Sequence, residues 1–407
     1  MGRTPAIDGL RERDLVAVMA DPSPVWLDVV REVWGAGAAL LPVDPRLPPS
    51  QVEALLRLAR PTVTISDSAD RGSARRIDDG VPASEGIVLL VHTSGTGGDP
   101  KLAQFERSAL EAAVTSSAEA LGASPEHRWL CCLPLAHIGG LLVLLRGILL
   151  GAPVTVLSRF DVDAFANERG VAFTALVPTM LQRLLDADVD LSSYRAILVG
   201  GAEVPADQRA RAGDIVVETY GLTESCGGVI YDGRPIGDVE VRLGAGDVIE
   251  LSGPTLMSSY RSDPAGSAAA FTGDRWLVTG DVGELAGDGR LHVVGRTDDL
   301  IVSGGEKVWP SAVEAAVGAH PKVRQVAAAG IDDPEWGQRV VVWVVPMDPL
   351  DPPSLQDLRR SSSATLARHE VPQGLFVVHE LPRTPSGKLR RTSLPPPTGS
   401  GSSAEAE

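Results

Sequence analysis

Between Ile87 and Glu218 the chain alternates short apolar runs with stretches of helical periodicity, and this alternation constrains the fold more than any other feature. The runs are Ile87–Val91, Val154–Leu157, Phe173–Val177, Ala196–Val199 and Ile215–Glu218. Each is strand-sized and bounded by turn residues, so each reads as a buried strand. Strands that alternate with helices favour an α/β body with a partly parallel sheet, because parallel neighbours need a crossover that a helix supplies. One such helix is marked by Leu110, Ala113, Val114, Ser117 and Leu121 on one face, and Ser108 with Glu111 has the spacing of a capping box at its start.

The rhythm changes near Val239. Val239–Leu243 and Val248–Leu251 are short strands with Gly/Asp turns, which predicts a small β-rich subdomain. A third region starts near Asp298, with a helix opened by Pro310-Ser311 and Glu314, a strand at Val340–Val345 and a last strand near Phe376–Val378, enough for a small α+β domain. The Pro/Gly/Ser-rich end is expected to be a disordered tail. The expected division is residues 1–297, 298–394 and 395–407. A chain of 407 residues has room for two or three domains.

Composition serves mainly to exclude. A net charge of −16 argues against a general nucleic-acid binder, which needs a basic surface. The three cysteines, Cys131, Cys132 and Cys226, have neither the spacing of a metal site nor that of a disulfide framework. The greasiest stretch, Ile138–Leu150, is short and carries Arg146, and no signal-peptide pattern opens the chain, so a cytoplasmic enzyme without membrane insertion is expected.

The segment Thr93-Ser-Gly-Thr-Gly-Gly-Asp-Pro-Lys101 follows a buried strand and, in this reading, precedes the capped helix. Small residues let backbone N–H groups approach phosphate oxygens, hydroxyls add donors, and Lys101 adds charge. The spacing is not that of a Walker-type loop. Taken alone it leaves phosphate binding and a plain flexible turn both open.

With four further motifs in order, the loop resembles that of the adenylate-forming superfamily: acyl-CoA synthetases, peptide-synthetase adenylation domains and luciferases. The motifs are Gly200-Gly-Ala202, Thr219-Tyr-Gly-Leu-Thr-Glu224, Thr279-Gly-Asp281 with Gly295-Arg-Thr-Asp-Asp-Leu-Ile301, and Pro382-Arg-Thr-Pro-Ser-Gly-Lys388. The resemblance implies a large N-terminal domain of α/β layers plus a β-rich subdomain, a small mobile α+β C-terminal domain, and ATP, Mg²⁺ and coenzyme A as ligands. It further implies that Thr93, Ser94, Gly95, Thr96 and Lys101 hold phosphates, that Glu224 holds Mg²⁺ with Thr223 beside it, and that Gly200, Gly201, Ala202, Thr219, Tyr220 and Gly221 form the adenine slot. By the same resemblance Asp281 accepts the ribose hydroxyls, Arg296 contacts ribose or phosphate, and Lys388 bridges the substrate carboxylate and the α-phosphate. Asp298 matches the hinge, and Gly304 and Gly305 match the pantetheine tunnel.

Three features resemble the short actinobacterial o-succinylbenzoate-CoA ligases of menaquinone synthesis: an N-terminal region shortened against typical members, the brief run Ser225–Ile236, and Leu133-Pro-Leu-Ala-His-Ile-Gly-Gly140. That likeness places His137, Gly227 and Gly228 at the acyl pocket, the glycines leaving room for a ring. The phosphate loop departs from the family at Gly97, where Thr is usual, and at Leu102, where Gly is usual. Three readings compete with this one: an adenylation enzyme loading a carrier-protein thiol, a CoA ligase for another acid, and a binding protein that has lost turnover. A homo-oligomer is left open.

Overall fold

The computed structural model describes residues 7, 9–66, 74–93, 100–383 and 389–396. They form two compact units. The first comprises the described parts of Met1–Arg242, Glu250–Thr279 and Gly287–Leu291, and the second Leu243–Ile249, Gly280–Ala286 and the remainder from His292.

The first unit holds two seven-stranded sheets. One runs, in spatial order, Ser259–Tyr260, Lys101–Glu106, Ile87–Thr93, Ala39–Val43, Leu15–Met19, Val63–Ile65 and Arg75–Arg76. Its middle is parallel, with Leu15–Met19 between Ala39–Val43 and Val63–Ile65. The helices Trp26–Gly35 and Pro49–Ala59 lie between these strands in sequence and supply the crossovers. Leu15, Ala17, Leu41, Leu55 and Leu90 share one buried cluster in it.

The second sheet runs Arg234–Pro235, Gly227–Tyr231, Val216–Leu222, Ala196–Gly200, Val171–Leu176, Arg128–Cys131 and Val154–Val156. It is parallel except for Gly227–Tyr231 and Arg234–Pro235. The five expected strands therefore all form, four of them in this sheet and Ile87–Thr93 in the other. A cluster of Phe165, Leu176, Leu181, Ile197 and Val199 fills the space beneath it.

The apolar stretch becomes the helix Ile138–Leu149, and Arg146 is buried in it. The guanidinium lies 4.0 Å from the Trp129 ring centroid and donates to Ser117 Oγ at 2.6 Å, which in turn meets Tyr231 Oη at 2.7 Å. Glu240–Leu243, Val248–Ser252, Leu277–Leu285 and Leu291–Arg296 form a four-stranded sheet in that order. In the second unit Glu306–Val308, Ile301–Ser303, Gly337–Pro346 and Val323–Asp333 lie side by side, with Gly374–Val377 also paired to Gly337–Pro346. Val313, Val317, Val340, Val342 and Leu358 pack its core against the helices Pro310–Gly318 and Leu355–Ser362.

Two local expectations are corrected. The segment after the phosphate loop is a strand before it is a helix: Lys101–Glu106 pairs antiparallel with Ile87–Thr93, placing Lys101 opposite Thr93. The helix then starts at Arg107 with Glu106 as its cap residue, so Ser108 lies inside the first turn and makes no cap. Glu111 pairs instead with Arg107 Nε at 2.8 Å. The helix opened by Pro310-Ser311 forms as expected, with Ser311 Oγ donating to Val294 O and Glu314 binding Arg391.

Candidate active site

The site begins where Thr93 and Lys101 face each other across the hairpin. Ser94, Gly95 and Thr96 lie outside the described residues, as does Lys388. Thr93 is buried. The Lys101 ammonium sits 4.7 Å from the centroid of the Tyr260 ring and 3.6 Å from Asp263 Oδ2. Tyr260 extends the same sheet, its backbone opposite Ala103.

Glu224 arrives from the other sheet, in the turn after Val216–Leu222. Ser225, fully buried, shapes that turn: its Oγ accepts from Leu222 N at 2.8 Å and lies 3.1 and 3.0 Å from the carbonyls of Leu222 and Gly227. Met257 N donates to Glu224 O at 2.8 Å, and Tyr260 Oη donates to Glu224 Oε1 at 2.8 Å. Burial and the neighbouring Glu224 carboxylate push the Tyr260 pKa up, so the phenol keeps its proton and acts as donor. Thr223, Glu224, Thr93 and Lys101 are thus brought to one region of the first unit. A half-exposed carboxylate beside hydroxyl and ammonium groups is suited to Mg²⁺, which is usually held by one or two carboxylates together with substrate phosphates.

Gly200 ends its strand in parallel register with Thr219. A Cβ at Gly200 would collide with Thr219 Oγ1, so only glycine lets these strand ends approach. The loop that follows, with Gly201 and Ala202, is fastened by Glu218, whose Oε1 accepts from Val204 N at 3.0 Å. Glu218 N in turn donates to Asp232 Oδ1 at 3.1 Å, and Arg209 pairs with both carboxylates. Tyr220 and Gly221 continue the strand, with a bulge between them. The expected adenine-slot residues therefore lie on two neighbouring strand ends.

His137 immediately precedes the helix Ile138–Leu149. Its ring lies 5.5 Å from that of His92, a residue missed in the sequence reading. Burial lowers the His92 pKa against the opposing pull of Asp44. Asp44 is itself buried: desolvation works against its charge, yet Arg46, bonded at 2.9 and 2.7 Å, holds the carboxyl below its ordinary range. Gly227 lies against the His137-headed helix, where a Cβ would meet Leu142 Cδ1 at 2.9 Å, and a Cβ on Gly228 would meet Thr219 Cβ at 2.9 Å. These glycines admit protein atoms at close range, so the volume freed there is filled by Leu142 and Thr219.

In the second unit Asp281 is buried and accepts from Arg296 Nη1 at 2.9 Å. Thr297 Oγ1 donates to Gly280 O at 3.0 Å, tying the turn of Asp298 to the Gly-Asp turn. Gly304 and Gly305 form a two-residue hairpin between Ser303 and Glu306, with φ of 61° and 84°, the left-handed geometry of a type I′ turn. Arg383 bridges Leu389 across the segment that holds Lys388. Arg391, just beyond, donates to Glu314 at 2.7 and 2.8 Å and to Asp299 at 3.1 Å.

Residues 7–250 match the AMP-binding enzyme family, and residues 312–388 match the AMP-binding enzyme C-terminal domain. The chain belongs to the AMP-binding enzyme family. This member is 39% identical over 331 residues to the probable 2-succinylbenzoate–CoA ligase of Mycobacterium tuberculosis (strain CDC 1551 / Oshkosh), covering 77% of this chain and 85% of that protein. It also resembles the o-succinylbenzoate CoA synthetase of Bacillus subtilis in complex with the acyl-adenylate intermediate OSB-AMP, at a TM-score of 0.84 and 27% identity over 94% of this chain and 88% of that one. The same synthetase in complex with ATP and magnesium ion matches at a TM-score of 0.84 and 26% identity, over 95% and 90% of the two chains. The adenylate-forming fold implied by the motifs, with a large N-terminal and a small C-terminal domain, is thus the fold of this AMP-binding enzyme. Tyr260, His92, Glu218 and Arg391 were not singled out from the sequence. His92 was the most accessible of them, as a polar residue closing an apolar strand.

Proposed function

We propose that this AMP-binding enzyme is an ATP-dependent carboxylate–CoA ligase that activates o-succinylbenzoate as an acyl-adenylate and passes the acyl group to coenzyme A. The observation that carries this is the 39% identity to a probable 2-succinylbenzoate–CoA ligase across 85% of its length, joined to the family's two-part match. A carboxylate oxygen of the substrate attacks the α-phosphorus of ATP in line, and the bond to the pyrophosphate oxygen breaks. The thiol of coenzyme A, losing its proton, then attacks the acyl carbon and releases AMP.

In this reading Thr93 and Lys101, with Ser94, Gly95 and Thr96, grip the phosphates. Gly200, Gly201, Ala202, Thr219, Tyr220 and Gly221 hold the base, and Asp281 takes the ribose with Arg296 alongside. Lys388 brings together two groups that repel each other, the substrate carboxylate and the α-phosphate; a compact ammonium on a flexible stem suits that role. Glu224 holds Mg²⁺ with Thr223 beside it. Bound there, the ion supplies charge neutralisation at the phosphate oxygens. Asp298 serves as the hinge, Gly304 and Gly305 line the path of the thiol arm, and His137 borders the acyl group. None of the three cysteines takes part as nucleophile: burial pushes the thiols of Cys132 and Cys226 up to about 12 and Cys131 higher still.

Among the described residues no helix is long and apolar enough to cross a membrane. We place the enzyme in the cytoplasm, where ATP and coenzyme A are available and free cysteines stay reduced. The test is exchange of labelled pyrophosphate into ATP without coenzyme A. Exchange that depends on o-succinylbenzoate and Mg²⁺ is expected; exchange supported only by another acid would remove the substrate assignment and leave the ligase.

A further inference from the structure

Tyr260 is set more firmly than its place near the edge of a sheet would require. Ser258 N donates to Gln104 O and Arg261 N to Leu102 O, each at 2.8 Å, and Tyr260 N donates to Ser267 Oγ at 2.8 Å. The next residue, Arg261, is buried, and its guanidinium donates to the carbonyls of Ala59, Pro82 and Val81 at 2.8, 3.1 and 2.6 Å. The phenol therefore projects from a fixed backbone. Its hydroxyl meets Glu224 Oε1 at 2.8 Å, and its ring lies 4.7 Å from the ammonium of Lys101, the residue that closes the phosphate loop. One side chain thus touches a carboxylate from one sheet and a cation from the other.

We propose that Tyr260 is a positioning residue for the metal–nucleotide complex, orienting the Glu224 carboxylate through its hydroxyl and the Lys101 ammonium through its ring. This rests on Glu224 being the Mg²⁺ carboxylate. An ionised carboxylate has about four lone-pair sites and rotates freely when exposed. One donor on Oε1 restricts that rotation and leaves Oε2 available to an ion. Partners that orient a metal ligand in this way typically contribute about 10–100-fold to metal affinity. A cation over a phenol ring gains further when water is displaced, so a nucleotide bound beside Lys101 would strengthen that contact.

The experiment reads metal binding directly. Mn²⁺, which is visible by electron paramagnetic resonance, is titrated into the full-length enzyme with α,β-methylene-ATP present, for wild type, Tyr260→Phe, Tyr260→Leu and Glu224→Gln. Tyr260→Phe keeps the ring and loses the donor; about 10-fold weaker Mn²⁺ binding is expected, with an unfolding midpoint close to wild type and nucleotide binding restored by excess metal. Tyr260→Leu should show the same metal defect and, in addition, weaker binding of the analogue without metal, because Lys101 loses its platform. If Glu224→Gln weakens Mn²⁺ binding while both Tyr260 variants match wild type, the role of Tyr260 is overturned and that of Glu224 stands. If Glu224→Gln also leaves Mn²⁺ binding unchanged, both fall.

Discussion

In the proposed mechanism Glu224 and Lys388 serve adenylation in different ways, and their loss should be told apart by half-reaction. Glu224→Gln keeps the shape and removes the charge, so acid-dependent pyrophosphate exchange should fall by about 100-fold or more and respond weakly to added Mg²⁺. Lys388→Ala should lower the same exchange by about 10²–10³-fold, the range for losing one preorganised charge-stabilising group. Transfer from preformed acyl-adenylate to coenzyme A should be nearly unchanged in that variant, and loss of both half-reactions alike would contradict the assignment. His92 gives a prediction in pH. Burial lowers its pKa from the ordinary 6.5, so as pH falls the unfolded chain takes up the proton first. The stability contributed by neutral His92 is fully present above about 6.5 and is lost as pH drops through the lowered folded value. The thermal midpoint should decline below that pH, and His92→Gln should flatten this part of the curve; an identical profile would remove His92 as its cause. At this scale the groups the sequence puts forward are those inside motifs, such as Glu224 and Asp281. The sequence conceals Tyr260, whose link to Glu224 exists only because an edge strand passes beside the turn of the other sheet.

The helix Ile138–Leu149 shows how an element can depend on a residue that looks misplaced. Arg146 is buried with its charge facing Trp129 and Ser117, and desolvation lowers its pKa. Arg146→Ala should destabilise the protein by about 2–4 kcal/mol, losing the ring contact, the hydrogen bond and the packed stem. Arg146→Met keeps the volume and sheds the desolvation cost, so it should cost less than about 1.5 kcal/mol. Urea unfolding of the two variants measures the difference; equal losses would show that charge, not packing, holds the helix. Strands bounded by turn residues were legible, and Ala196–Gly200 and Val216–Leu222 fall close to where the sequence put them. Lys101–Glu106 was not, because it runs into the helix at Arg107 with no Gly, Pro or Asn to separate them. As a result Lys101 is held by strand pairing opposite Thr93 and does not lie at a helix N-terminus.

For the molecule as a whole, the alternation of strands and helices and the order of five motifs pointed to the adenylate-forming fold, and the family match bears that out. The strands Leu15–Met19 and Ala39–Val43 went unnoticed, since they sit before the first motif and their helices carry few caps. In the second unit Arg391 ties Asp299, next to the proposed hinge Asp298, to the helix of Glu314. Arg391→Ala would leave two partly buried carboxylates without their cation and should lower stability by about 2–3 kcal/mol, detectable by urea unfolding followed at Trp343. The proposed reaction joins o-succinylbenzoate to coenzyme A at the expense of ATP. The direct measurement is chromatographic separation of products after incubation with ATP, Mg²⁺, coenzyme A and o-succinylbenzoate, beside a panel of other acids. AMP and o-succinylbenzoyl-CoA are expected in equal amounts, with the other acids far behind; AMP formation with none of the acids, in a protein that still binds ATP, would contradict the proposed activity.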